Sequence, residues 1–246
     1  MINKIRLQPL VKLSDNSIYG YEALYKKEPS AEYPSASKIL NSILCNHKDK
    51  STCKCHNFKL FINLTVQDIE DASFGDSFLK VISDDGIINE NNIVVEINEN
   101  TSPGALFQAK ETINILRDYG IKIALDDFGS QDSCLSFMGE LPIDIVKIDK
   151  KFIQSAPLNK KAQEILMFII QVSHDIGCEV VVEGIENTDQ LACAEEFRAD
   201  IGQGFLFAPQ LPSFNQTSFI KQTTPFINLR EFDLYISKHL PSLSIA

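Results

Sequence analysis

One pattern constrains this chain more than any other: short apolar runs, each closing on a carboxylate, an amide or an amine, alternate with amphipathic stretches along most of its length. The clearest is IKIALDDFGS, Ile121 to Ser130. Ile121, Ile123 and Leu125, with Ala124 between them, suit a strand covered on both faces in a parallel sheet. Such strands do not normally end in charge, and two adjacent carboxylates repel unless a cation or a proton lies between them. Taken alone, Asp126 and Asp127 read as one helix cap and one solvated charge. Recurrence of the pattern along the chain argues for more than that.

Ile5 to Val11 and Ile18 to Tyr25, separated by a polar turn at Ser14 to Ser17, read as an opening hairpin with Glu22 near the end of its second strand. Ser35 to Asn46 has helical spacing, and the strand FKLFINL, Phe58 to Leu64, places Asn63 near its end. A helical pattern from Val66 through Ile82 stops at turn signals from Asp84 to Gly86. The strand NIVVEIN carries Glu96 and is followed by Glu99. A helix from Pro103 to about Tyr119, stopped by Gly120, leads into the strand with Asp126 and Asp127. Asp144 to Ile148 bears Lys147 and is followed by Asp149. A helix over Ala162 to Ile176 stops at Gly177, and Glu179 to Val182 leads into Glu183 and Glu186. A helix from Thr188 to Phe197 precedes a last strand signal in QGFLFAP, entered at Gln203.

The spacing between strands, about 20 to 36 residues, is that of βα units and predicts a parallel sheet. No G-x-G-x-x-G or Walker loop follows any strand, so the nucleotide fingerprints of open sheets are missing. Polar groups instead close nearly every strand: Glu22, Asn63, Glu96, Asp126, Asp127, Lys147, Glu183 and Gln203. In a (β/α)8 barrel those ends converge on one mouth, where active sites are built. The barrel is therefore the expected architecture, as a single domain over residues 1–246 with 212–246 as a C-terminal helical extension.

Composition fits an ordinary globular α/β protein, at 246 residues, 44% hydrophobic and 23% charged. A net charge of −10 disfavours duplex nucleic acid as a partner. No apolar run is long enough to span a bilayer, and MINKIRLQPL lacks the features of a signal peptide, so a cytoplasmic location is expected. Cys45, His47, Cys53, Cys55 and His56 cluster in one hydrophilic stretch. Thiolate and imidazole are zinc's preferred ligands, but the C-x-C spacing is not the usual knuckle, and the stretch reads as a solvated loop before it reads as a zinc site.

Glu22, Glu96, Asp126, Asp127 and Glu183 with Asn63 form an oxygen-only set, which selects Mg²⁺ or Mn²⁺ over zinc. Five carboxylates exceed what one cation needs, whereas two cations about 3.5 to 4 Å apart would balance them and clamp a phosphodiester for in-line attack. Lys147 would polarise the attacking water or steady phosphate charge. A salt bridge to one of the carboxylates is its alternative role.

The segments YEALYK, FINLT, VVEINEN, ALDDFGS, IVKID, VVEGIEN and IGQGFLF, in this order and spacing, resemble the signatures of EAL-domain cyclic di-GMP phosphodiesterases. The resemblance runs from Leu7 to Leu211. It implies a modified (β/α)8 TIM-like barrel with an early antiparallel strand, and hydrolysis of cyclic di-GMP to linear pGpG. It also implies two Mg²⁺ or Mn²⁺ ions ligated by Glu22, Asn63, Glu96, Asp126, Asp127 and Glu183, with Asp126 bridging. Lys147 would orient the water, Glu99 would anchor the loop after Asp127, and Asp149 and Glu186 would support the ligands from outside. Gln8, Lys26 and Gln203 would line the substrate groove.

Three features depart from the family pattern. Lys26 stands where an arginine is usual, keeping charge but losing a bidentate grip on phosphate. The loop after the glycine reads SQDSC, with Gln131, Asp132 and Cys134, in a region that supports the second metal and the homodimer contact in the family. The segment between Glu22 and Asn63 is shorter than usual. These departures define the rival reading, a catalytically silent EAL-like module that binds cyclic di-GMP or a protein partner. Silent members commonly lose metal ligands, and all six are present here.

Overall fold

The computed structural model describes residues 5–26, 32–44, 58–86, 88–98, 103–130, 138–207 and 211–212. Its strands are β1 (Ile5–Lys12), β2 (Ile18–Tyr25), β3 (Lys59–Asn63), β4 (Ile93–Asn98), β5 (Lys122–Phe128), β6 (Ile145–Ile148), β7 (Glu179–Val182), β8 (Ile201–Gln203) and β9 (Leu211–Pro212). From β2 to β8 each strand pairs in parallel with the next. β1 lies antiparallel to both β2 and β8 and so closes the ring. The result is the (β/α)8 barrel with an early antiparallel strand expected from the sequence. β9 adds to β1 at Arg6 and Leu7.

Helices α1 (Ala36–Leu44), α2 (Val66–Glu70), α3 (Phe74–Asp85), α4 (Pro103–Asp118), α5 (Lys150–Ser155), α6 (Lys160–Asp175) and α7 (Thr188–Glu196) fill the connections. Ile39, Leu40 and Ile43 of α1, Phe78 and Ile82 of α3 and Leu166 and Ile170 of α6 are buried in the same core as Ile62, Val95 and Leu125, the outward residues of the strands. A second core lies inside the ring. Leu10, Tyr19, Phe61, Val94, Ala124, Ile145, Val181 and Ile201, one from each ring strand, form it.

Strand periodicity carries this inner layer up to the mouth, because residues two apart share a face. Asn63 stands two beyond Phe61, Glu96 beyond Val94, Asp126 beyond Ala124, Lys147 beyond Ile145, Glu183 beyond Val181 and Gln203 beyond Ile201. β2 departs from the rule. Its register slips between Leu10↔Gly20 and Val11↔Ile18, leaving Tyr19 as the extra residue of a bulge. The bulge lets Tyr19 join the inner layer while Glu22, three residues on, also faces inward.

Several expectations need correction. The helix expected over 66–82 is two helices, because Asp71 accepts hydrogen bonds from the Ser73 backbone at 2.9 Å and hydroxyl at 2.7 Å and turns the chain at their junction. The strand expected in QGFLFAP is β8, which lies mostly upstream of that segment and ends at Gln203. A Cβ on Gly204 would lie 2.1 Å from the Ile185 carbonyl oxygen, so this close turn requires glycine. The short helix α5 directly after Asp149 was not anticipated. Pro212, placed in the helical extension by sequence, belongs to β9, and residues 213–246 lie outside the described residues. So do Cys45, His47, Cys53, Cys55, His56, Glu99, Gln131, Asp132 and Cys134. No helix among the described residues is long and apolar enough to cross a membrane.

Candidate active site

Lys147 forms the centre of the mouth. Its side chain is 1% exposed, and its ammonium lies 2.6 Å from Glu96, 2.7 Å from Asp126, 2.8 Å from Glu183 and 3.4 Å from Glu22. The contact with Asp126 is a hydrogen bond. That with Glu96 Oε1 lies off the hydrogen-bond direction. The role of salt-bridge partner, raised as an alternative for this lysine, is thus realised with four carboxylates, three within β2, β4 and β5 and one, Glu183, just past β7. Two amides tie the cluster together. Asn63 Nδ2 donates to Glu22 at 3.2 Å and to Glu96 at 2.9 Å, and Gln203 Nε2 donates to Glu22 at 2.7 Å.

Asp126 and Asp127 are neighbours, and in a regular strand they would point to opposite faces. Between Leu125↔Val146 and Phe128↔Ile148, however, β5 carries one residue more than β6. Asp127 takes the left-handed conformation, at φ 59°, which aspartate tolerates better than most residues. This bulge brings the two carboxylates together. Asp126, Asp127 and Glu183 each offer an oxygen within 4.8 Å of the others, a grouping that suits a hard cation. Gly129, at φ 85°, turns the chain so closely against Phe152 that a Cβ would lie 2.6 Å from its ring.

The electrostatics show a site short of positive charge. Burial pushes Glu96 well above the usual carboxylate range, with Glu22 adding to the effect. Burial also raises Asp126, with the Glu22 charge helping and Lys147 opposing. Glu183 is pushed up to about 8 by burial, with Lys147 opposing and Asp126 and Glu22 adding. Glu22 goes the other way: burial would raise it, but Lys147, Gln203 and Asn63 together hold it down. For Lys147 burial would lower the value, yet the four carboxylates drive it well up. Carboxylates that hold protons this firmly are the donor set a divalent cation would discharge.

Above the cluster opens a cavity of about 290 Å³, lined by Gln8 and Gln203 and also by Glu186, for which the sequence suggested a supporting place outside the ligands. Asn63 and Glu96 lie beneath that surface, joined to it through Glu22 and Lys147. As placed, Asn63 turns its amide nitrogen toward the carboxylates, so ligation through its oxygen requires the flipped amide. Lys26 is exposed just past β2 and is not among the lining residues. Asp149 caps α5 by accepting from the Lys151 backbone at 2.8 Å. Sequence reasoning missed Asn98, whose Nδ2 donates to Asp127 at 2.7 Å. The signal was available, since Asn98 stands two residues beyond Glu96 and pairs in register with Asp126.

The EAL domain family model matches residues 3–210. The cyclic di-GMP phosphodiesterase NbdA of Pseudomonas aeruginosa is 24% identical over 239 residues, covering 89% of this chain and 30% of that protein. This chain thus spans less than a third of that relative's length. Among solved structures, the EAL domain of Mycobacterium smegmatis DcpA matches 89% of this chain and 96% of its own, with a TM-score of 0.77 and 21% identity. The manganese and cyclic di-GMP complex of Klebsiella pneumoniae BlrP1 matches 85% and 56%, with a TM-score of 0.72 and 21% identity. With a family model spanning nearly the whole barrel, and a fold shared with these structures, the chain belongs to the EAL domain family.

Proposed function

We propose that this chain is a metal-dependent phosphodiesterase that hydrolyses cyclic di-GMP to linear pGpG. The observation that carries the reading is the convergence of Glu22, Glu96, Asp126 and Glu183 on one ammonium, with Asp127 brought alongside by the β5 bulge. A merely structural barrel mouth gains nothing from so many buried carboxylates, because their repulsion costs stability unless cations balance it. Glu22, Asn63, Glu96, Asp126, Asp127 and Glu183 would hold two Mg²⁺ or Mn²⁺ ions. When bound, such ions act as Lewis acids, easing water ionisation and offsetting phosphate charge.

The chain's own residues supply position and charge. Lys147, held protonated by its neighbours, donates and does not accept, so it orients a water or a phosphate oxygen and does not serve as the base. Gln203 and Asn63 fix Glu22, and Asn98 fixes Asp127, so these carboxylates keep their places without a ligand. Gln8 and Glu186, on the cavity wall, face the ligand. The names of NbdA and of the BlrP1 complex support the choice of cyclic di-GMP.

Chromatography of the products after incubation with Mn²⁺ tests the reading. Linear pGpG should accumulate, Ca²⁺ in place of Mn²⁺ should suppress it, and Glu22→Ala should lower turnover by more than about 100-fold. Intact cyclic di-GMP after long incubation, despite measurable binding, would replace the enzyme with a silent receptor.

A further inference from the structure

One cation at the mouth has no part in the chemistry proposed above. Lys150, the first residue of α5, lines the cavity together with Lys147, and these are the two cationic side chains that do so among the described residues. The Lys150 side chain is exposed and has no ion pair or hydrogen bond with any described residue, although Glu186 lines the same cavity.

Local backbone geometry keeps it there. The turn after β7 passes so near that a Cβ on Gly184 would lie 2.3 Å from Lys150 Cβ and 3.2 Å from its Cα. Gly184 is also at φ 72°, so both space and conformation favour glycine and let the turn and α5 meet at the rim. Charge then gives the position a purpose. The five carboxylates of the floor are opposed by one ammonium, and two divalent cations would offset the remaining four negative charges. A floor made neutral in this way gives no net pull on a phosphate that lies away from it.

We infer that Lys150 is the binding residue for a second phosphate, in a ligand whose first phosphate lies over the carboxylate floor. The site therefore selects ligands with two phosphodiesters over ligands with one. This rests on the phosphodiester-binding reading of the floor.

Equilibrium binding in Ca²⁺ tests it, using cyclic di-GMP as the two-phosphodiester probe and linear GpG as the one-phosphodiester probe. Lys150→Gln should weaken cyclic di-GMP binding about 3- to 10-fold and GpG binding less than about 2-fold. Lys150→Arg should restore the difference, and added salt should narrow the gap between wild type and Lys150→Gln. Equal weakening of both probes, or of neither, would overturn the assignment. Hydrolysis in Mn²⁺ is scored separately. A wild type that binds cyclic di-GMP without cleaving it removes the enzyme reading while the two affinities still decide the role of Lys150. A wild type that binds neither probe overturns both.

Discussion

Lys147 is a buried ammonium surrounded by more negative charge than it can offset, and this imbalance has a measurable sign. Glu183, at about 8 in the folded chain against an ordinary 4.5, binds its proton more tightly folded than unfolded. Its contribution to stability is complete below the unfolded value and is lost as pH rises through the folded one. Glu96 and Asp126 shift in the same direction. Thermal melts in EDTA should therefore show the melting temperature falling between about pH 5 and about pH 8. A flat or rising profile would mean that the cluster is not short of positive charge. The individual carboxylates were legible in the sequence because each closes an apolar run. That Asp126 and Asp127 share a side was not, since alternation predicts the reverse, and only the bulge with Asp127 at positive φ joins them.

Between elements, Asp68 does more than its place in a helix suggests. It is 3% exposed, and its Oδ2 accepts from the Thr65 backbone at 2.9 Å, the Thr65 hydroxyl at 2.7 Å and the Ala36 backbone at 3.1 Å. The Thr65 hydroxyl in return accepts from the Asp68 backbone, completing a capping box. One carboxylate thus starts α2 and pins the first turn of α1. Asp68→Ala should cost roughly 1–3 kcal/mol in chemical denaturation, because it strands buried donors, whereas a loss within error would show that water replaces the carboxylate. The helices α1, α4, α6 and α7 are legible in the sequence to within a few residues, α1 and α6 from apolar spacing and α4 from its proline start and glycine stop. The break between α2 and α3 was not, because a side chain that competes for backbone hydrogen bonds leaves apolar periodicity unchanged. Nor was α5, a helix too short to display a period.

At the scale of the barrel, a single rule places the site: an inner apolar layer, then, two residues farther along most strands, a polar group at the mouth. That rule is written in the sequence, which is why the fold and most of the candidate site are legible there. The seam that closes the ring was not written there: besides its expected hairpin with β2, β1 pairs antiparallel with the distant β8, and a slip at Tyr19 keeps Glu22 facing inward. Gln8, on β1 opposite Glu22, reaches the cavity through that same closure. On the proposed function, the ring gathers these strand ends into a two-cation site. Titration of the chelator-treated chain with Mn²⁺, followed by calorimetry, counts the ions. Saturation should come at two ions per chain, with at least one lost in Asp126→Asn; no binding, or an unchanged stoichiometry in Asp126→Asn, would rule the two-cation site out.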